Sequence, residues 1–190
     1  MQLVSTTIDP VAARGLAVNL LSANEDRLRH VVAVAAAAHR ARTSVRLEDQ
    51  ALLVSAAWLH DIGYASDARD TGFHPLDGAR YLRAMGSGER LCGLVAHHSA
   101  SHVEAEFRGL ADQVESEFRH EKSEASDTLT YADMITGPTG DAVTVEDRLS
   151  EILRRYRREH VVHQSISLAA GELVATVRRV EQRLLVTQPK

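Results

Sequence analysis

The sequence predicts an all-α protein, on three observations. Ala, Leu, Val, Arg and Glu dominate and aromatic residues make up 4% of the chain, a bias toward helix formers and away from strand formers. Proline is rare away from apparent helix starts such as Asp9-Pro10 and His74-Pro75, where its missing N–H costs nothing. Apolar residues recur at three- and four-residue spacing over most of the length.

Taken in order, the pattern gives about seven to nine helices in one domain spanning residues 1–190. Asp9 as N-cap and Pro10 at the first helical position start a helix that runs to about Leu21. Asn24 caps the second, with Glu25 and Asp26 favourable in its first turn and an Ala/Val-rich body from Leu28 to Arg42. Glu48 to His60 forms the third, followed by a loop from Gly63 to Phe73. His74-Pro75 opens a helix over Leu76 to Met85, and Gly86-Ser-Gly88 separates it from a short apolar helix over Glu89 to His98. Residues 101–124 alternate charge with Val103, Phe107, Leu110, Val114 and Phe118, which reads as one or two amphipathic helices. Ser123 to Ser126 is expected to be a loop before a helix over Asp127 to Ile135. Two C-terminal helices span about 144–186. Thr144 to about His160 begins on an acidic capping box and carries Arg154, Arg155, Arg157 and Arg158 as a solvated face. Ser167 to Val186 is amphipathic through residues such as Leu168, Leu173 and Val177, and could pack on the bundle or make a homodimer.

Bulk properties narrow the function classes. A formal net charge of -4 gives no global attraction for nucleic acid or anionic membrane. A single cysteine, Cys92, excludes an intramolecular disulfide and a thiolate metal site. The first ten residues lack the basic start and apolar stretch of a signal peptide, and no run approaches the roughly 20 apolar residues of a membrane span. A cytoplasmic protein with a small-molecule partner is the expectation.

The chemistry is concentrated around Ala51–Tyr64, an apolar run that delivers His60-Asp61 and then meets Gly63. Adjacent side chains on a helix point about 100° apart. The pair can therefore converge on one ion only where the helix ends. Alone, His-Asp is a solvated helix end and His30 a half-exposed surface residue. Together with His74, His97, His98 and Asp133, each close to the start or end of an apolar helix, they form a set of imidazole and carboxylate donors suited to divalent transition metals. His39, His102, His120 and His163 are expected on exposed faces.

That order (His, His-Asp, His, His-His, Asp) resembles the HD superfamily of metal-dependent phosphohydrolases over roughly residues 24–137. The resemblance implies an HD-domain helical bundle and two ions of Fe, Mn, Zn, Co or Ni. His30, His60, Asp61 and Asp133 would hold the first, and Asp61 would bridge to a second completed by His74 and His97. His98 is counted with the metal residues. Its plainer role is a contact beside them or to substrate, and its alternative is a third ion shared with Asp26. The implied reaction is attack of a metal-activated water on a small phosphate ester, a nucleotide being the leading candidate. Asp61 as bridging carboxylate and Arg27 as a phosphate clamp are the catalytic candidates, and Arg108 is a further residue of Arg27's kind. His60-Asp-Ile-Gly-Tyr64 and His74-Pro-Leu-Asp-Gly78 are similar to the cyclic di-nucleotide phosphodiesterase (HD-GYP) branch. That branch has Lys where Tyr64 stands, and a Gly-Tyr-Pro signature where this chain reads Ser99-Ala-Ser-His-Val103. Two alternatives share the same donors: an HD-fold mixed-valent di-iron oxygenase and a non-catalytic HD binding module.

Overall fold

In the computed structural model, which describes residues 9–187, Asp9 folds back on the helix it starts. Its Oδ1 accepts from the backbone N–H groups of Val11 and Ala12 at 2.8 and 2.9 Å, satisfying donors that a helix start leaves free. This is α1, Pro10–Leu21. Asn24 caps α2, Glu25–Ala41, by accepting from the Arg27 N–H at 3.2 Å. The buried stripe of α2 runs through His30, Val31, Val34, Ala37, Ala38 and Ala41, so helical periodicity itself carries His30 into the interior. A 3-10 turn, Leu47–Asp49, leads into α3, Gln50–Leu59, which His60 caps at its C-terminal end. Buried alanines on all three helices (Ala13, Ala17, Ala35, Ala38, Ala56, Ala57) let α1, α2 and α3 approach closely.

The middle of the chain holds α4, His74–Ala84; α5, Glu89–Ala96; a 3-10 turn, His98–Ala100; α6, Ser101–Arg108; and α7, Ala111–Glu117. Residues 101–124 thus give two helices, because Gly109 takes a positive φ of +67° and ends the first. Phe107 is 47% exposed rather than packed. The last three helices are α8, Glu124–Met134; α9, Val145–Arg155; and α10, Val161–Thr187. Ten α-helices are described, one more than the upper expectation. A main core gathers residues from α1 to α8, α6 adding Ala105 alone. A second, smaller core joins α10 to α6, α8 and α9 through Val103, Met134, Leu149, Leu173 and Val177.

Three boundaries differ from expectation for local reasons. Ser123 is not a loop residue but the N-cap of α8, accepting from the Ser126 N–H at 3.1 Å. The Ser/Glu cluster read as a linker is a start signal, and the irregular stretch is 119–122. Helix α9 stops at Arg155 because Tyr156 is extended, and His163 turns its Nδ1 onto the Leu153 and Tyr156 carbonyls at 3.1 Å each. His163 is therefore half-buried, not exposed. His160 starts α10 six residues early by accepting the Val162 N–H on Nδ1 at 3.2 Å, and Leu168 on α10 is 66% exposed. The signal-peptide reading rests on residues 1–10, of which 1–8 lie outside the described residues. No described helix is long and apolar enough to cross a membrane.

The turn after His60-Asp61 is pressed against α4. A Cβ on Gly63 would stand 2.0 Å from the His74 carbonyl oxygen and 2.8 Å from the Gly78 nitrogen. The two glycines let the His-Asp turn and the His74 turn touch backbone to backbone. Gly63→Ala is therefore expected to cost about 2 kcal/mol or more, lowering the melting temperature by roughly 4–8 °C. An unchanged thermal melt would show that this contact does not hold the two turns together.

Candidate metal centre

Three helix ends and one mid-helix position aim imidazoles at the same point. At a helix C-terminus the last carbonyls have no intrahelical donor, and two histidines use them. His60 donates its Nδ1–H to the Ala57 carbonyl at 2.9 Å, and His98 donates its Nδ1–H to the Val95 carbonyl at 2.7 Å. His30 donates in the same way to the Gly137 carbonyl at 2.9 Å, across to the loop after α8. A carbonyl can only accept, so each of these Nδ1 atoms carries its proton. When the ring is neutral, each Nε2 is left with a lone pair, the tautomer that metal-binding histidines show.

Those Nε2 atoms meet two buried carboxylates. Asp61 is 2% exposed and Asp133 9%. His30 Nε2 lies 3.0 Å from Asp133 Oδ1 and 3.8 Å from Asp61 Oδ2. His60 Nε2 lies 3.4 Å from Asp61 Oδ2 and 4.0 Å from Asp133 Oδ1, and although fully buried has no hydrogen-bond partner among the described residues. On the other side of Asp61, its Oδ1 is 3.2 Å from His74 Nε2 and 3.9 Å from His98 Nε2, and these two nitrogens are 3.3 Å apart. Ligands of one ion with bonds of ~2.1 Å stand about 3–3.5 Å from one another; the separations here run from 3.0 to 4.0 Å. Two triads, His30-His60-Asp133 and His60-Asp61-His98, each bring their donor atoms within 4.8 Å of one another. The donor set fits divalent transition metals, and Asp61 turns Oδ2 toward His30 and His60 and Oδ1 toward His74 and His98.

Electrostatics point the same way. Burial pushes Asp61 up, but the Arg27 guanidinium and His60 hold its carboxyl well below the usual range. Burial likewise opposes ionisation of Asp133, and the His30 hydrogen bond together with the charge of His60 overrides it, leaving the carboxyl far below its ordinary value. Burial pulls His60 down, yet Asp61 and Asp133 raise it to about 8. Burial and the neighbouring His60 and His74 push His98 down to about 4. Anionic carboxylates beside desolvated imidazoles form a site that demands positive charge.

Arg27, Tyr64 and His74 form a stack along the open side. Arg27 Nη1 donates to Asp61 Oδ2 at 2.6 Å. Its guanidinium lies 4.1 Å over the Tyr64 ring, which in turn stacks on His74 at 4.2 Å. Tyr64, the departure from the Lys-bearing branch, thus orients both a metal-site imidazole and the arginine. Asp26 stays on the surface, pairing with Arg29 at 3.5 Å. Arg108 lines the cleft above the centre, held by Glu104.

The paired histidines have exchanged expected places. His97 faces away: its Nε2 donates to the Phe118 carbonyl at 2.9 Å and its ring stacks on His120 at 4.4 Å. His98 takes the position beside His74 and Asp61. Successive residues on a terminating helix diverge, and at the end of α5 the second of the two has the inward phase. His120 is exposed as expected but covers His97, while His102, read as surface, is half-buried beside it. Two supporting residues were missed. Asp77 accepts from Thr71 N, Thr71 Oγ1 and Gly72 N at 2.7–2.9 Å, fixing the loop before His74. Ser99 donates its hydroxyl to Asp133 Oδ2 from a left-handed φ of +50°. The Asp in His74-Pro-Leu-Asp-Gly78 and the Ser directly after the paired histidines were the only available signals.

The sequence model of the HD domain family matches residues 27–136, more than half of the chain, and the chain belongs to that family. HD domains bind divalent metals and are generally metal-dependent hydrolases. No curated protein matches the chain, and no solved structure does.

Two outcomes are expected of metal titrations. Below pH about 8 the ion that meets His60 must displace its proton, so apparent affinity should rise about tenfold per pH unit up to that point and then level off. Calorimetry in buffers of different ionisation enthalpy reads the released proton. His98→Ala should lose the ion on the His74 side and keep the other, whereas His97→Ala should keep both, as measured by elemental analysis.

Proposed function

We propose that the protein is a metal-dependent phosphohydrolase acting on a small phosphate ester, with nucleotides the leading class. The single observation that carries the reading is the convergence of Nε2 atoms from His30, His60, His74 and His98 on Asp61 and Asp133. Two ions bound there supply Lewis acidity for activating water and neutralising a phosphoryl group. His30, His60, Asp61 and Asp133 are the residues for one, and Asp61, His74 and His98 for the other. The chain's own contribution is position and charge. Arg27, stiffened over Tyr64, presents a guanidinium at the edge of the centre, where it can grip phosphoryl oxygens. The cleft above measures about 310 Å³, the lower end of the size usual for small-molecule sites and unsuited to a polymer.

The direct test is phosphate release from a panel of phosphate monoesters and nucleotides by the full chain loaded with Mn²⁺, Fe²⁺, Co²⁺, Ni²⁺ or Zn²⁺. Turnover is expected, and Asp61→Ala should abolish both ions and activity. A protein that is active only with iron and O₂, and inert toward every phosphate ester, would overturn the hydrolase in favour of the di-iron oxygenase. Asp61→Ala with full metal content would overturn the ligand assignment itself.

A further inference from the structure

One wall of the cleft comes from α9 and the start of α10, outside the residues the family accounts for. Its most buried charged member is Arg148, 8% exposed. Arg148 Nη1 donates to Glu151 Oε2 at 2.7 Å, but its buried Nε–H meets no acceptor among the described residues. Glu151 is also the partner of Arg155. Glu151 is the one carboxylate in direct contact with either guanidinium among the described residues, while Asp133 across the cleft feels the charge of Arg148 without a hydrogen bond to it. Guanidinium does not give up its proton in proteins, so this N–H is a standing donor for an oxygen carried by a molecule that enters the cleft. Beside it, Tyr156 and His160 hold their rings 4.6 Å apart. Because His160 Nδ1 accepts the Val162 N–H, its Nε2 carries the proton and can donate.

We propose that this wall is a second anion subsite, anchored by Arg148 with Arg155 and His160 at its rim, and that the substrate carries a second phosphoryl group besides the one at the metal centre. The identity of the first group rests on the phosphohydrolase reading; the subsite does not. Arg148 and Arg155 present planar N–H edges of the kind that hold phosphate oxygens in pairs, and the aromatic pair offers a flat face for whatever links the two phosphoryl groups.

The test compares adenosine 5′-monophosphate with adenosine 3′,5′-bisphosphate on the Mn²⁺-loaded full chain. Affinity is read by calorimetry, and KM is read as well where a compound is turned over. The bisphosphate is expected to bind at least about tenfold tighter. Arg148→Gln should bring that ratio close to one, and Arg148→Lys, which keeps the charge, should restore part of it. Exposed Arg155→Gln, which does not disturb packing, should lower the ratio several-fold and serves if Arg148→Gln fails to fold. A ratio that stays unchanged in the Gln variants, or an equal loss for both compounds, overturns the subsite. Absence of turnover with the binding preference intact would overturn the phosphohydrolase reading and leave the subsite standing.

Discussion

Two carboxylates and a ring of imidazoles share one dry volume, and their need for positive charge governs the rest of the structure. Burying an ionised carboxylate is costly unless it is paired, and Asp61 and Asp133 are both buried and ionised. Arg27 answers one oxygen of Asp61, and the Ser99 hydroxyl answers one oxygen of Asp133. The remaining edges face Nε2 atoms whose own protons, when the rings are neutral, are committed to the backbone on the far side. Such an arrangement is poor as a structural core and good as a cation site, so its persistence inside an alanine-lined bundle is itself the functional signal.

The bundle around it divides the labour. Helices α1 to α5 and α8 form the tight core that fixes donor positions, and close backbone approach at Gly63 and Gly78 locks the two sides of the centre together. Helices α9 and α10 rest on a separate apolar seam with α6 and α8. They contribute nothing to the converging donors and much to the cleft. The converging donors thus sit under a wall that lies outside the residues the family model matches, which is where discrimination between substrates would arise.

Much of this was legible in the sequence, and the failures have common causes. Composition and periodicity gave the helices, and Asp9, Asn24 and Thr144 marked starts that the structure keeps. The structure brings His30, His60, Asp61, His74 and Asp133 together, because each is tied to an apolar stripe or a helix end. The order within His97-His98 was not legible, since it depends on the turn at which α5 unwinds, and one residue of phase reverses the answer. Ser123 and His160 misled because the same short polar residues close loops and open helices. Arg155 was read as part of a solvated face and Arg148 was not singled out, because the break at Tyr156, which folds α10 back over the cleft, has no glycine or proline to announce it.

The orienting partners of His30, His60 and His98 are main-chain oxygens of Gly137, Ala57 and Val95. No point substitution can delete a main-chain oxygen, so this layer of the site is invisible to alanine scanning and free to drift in side-chain identity. Its vulnerability is geometric instead. An insertion, deletion or proline that moves the end of α3 or α5 by a single residue would swing a ring out of register while leaving every ligand in the sequence.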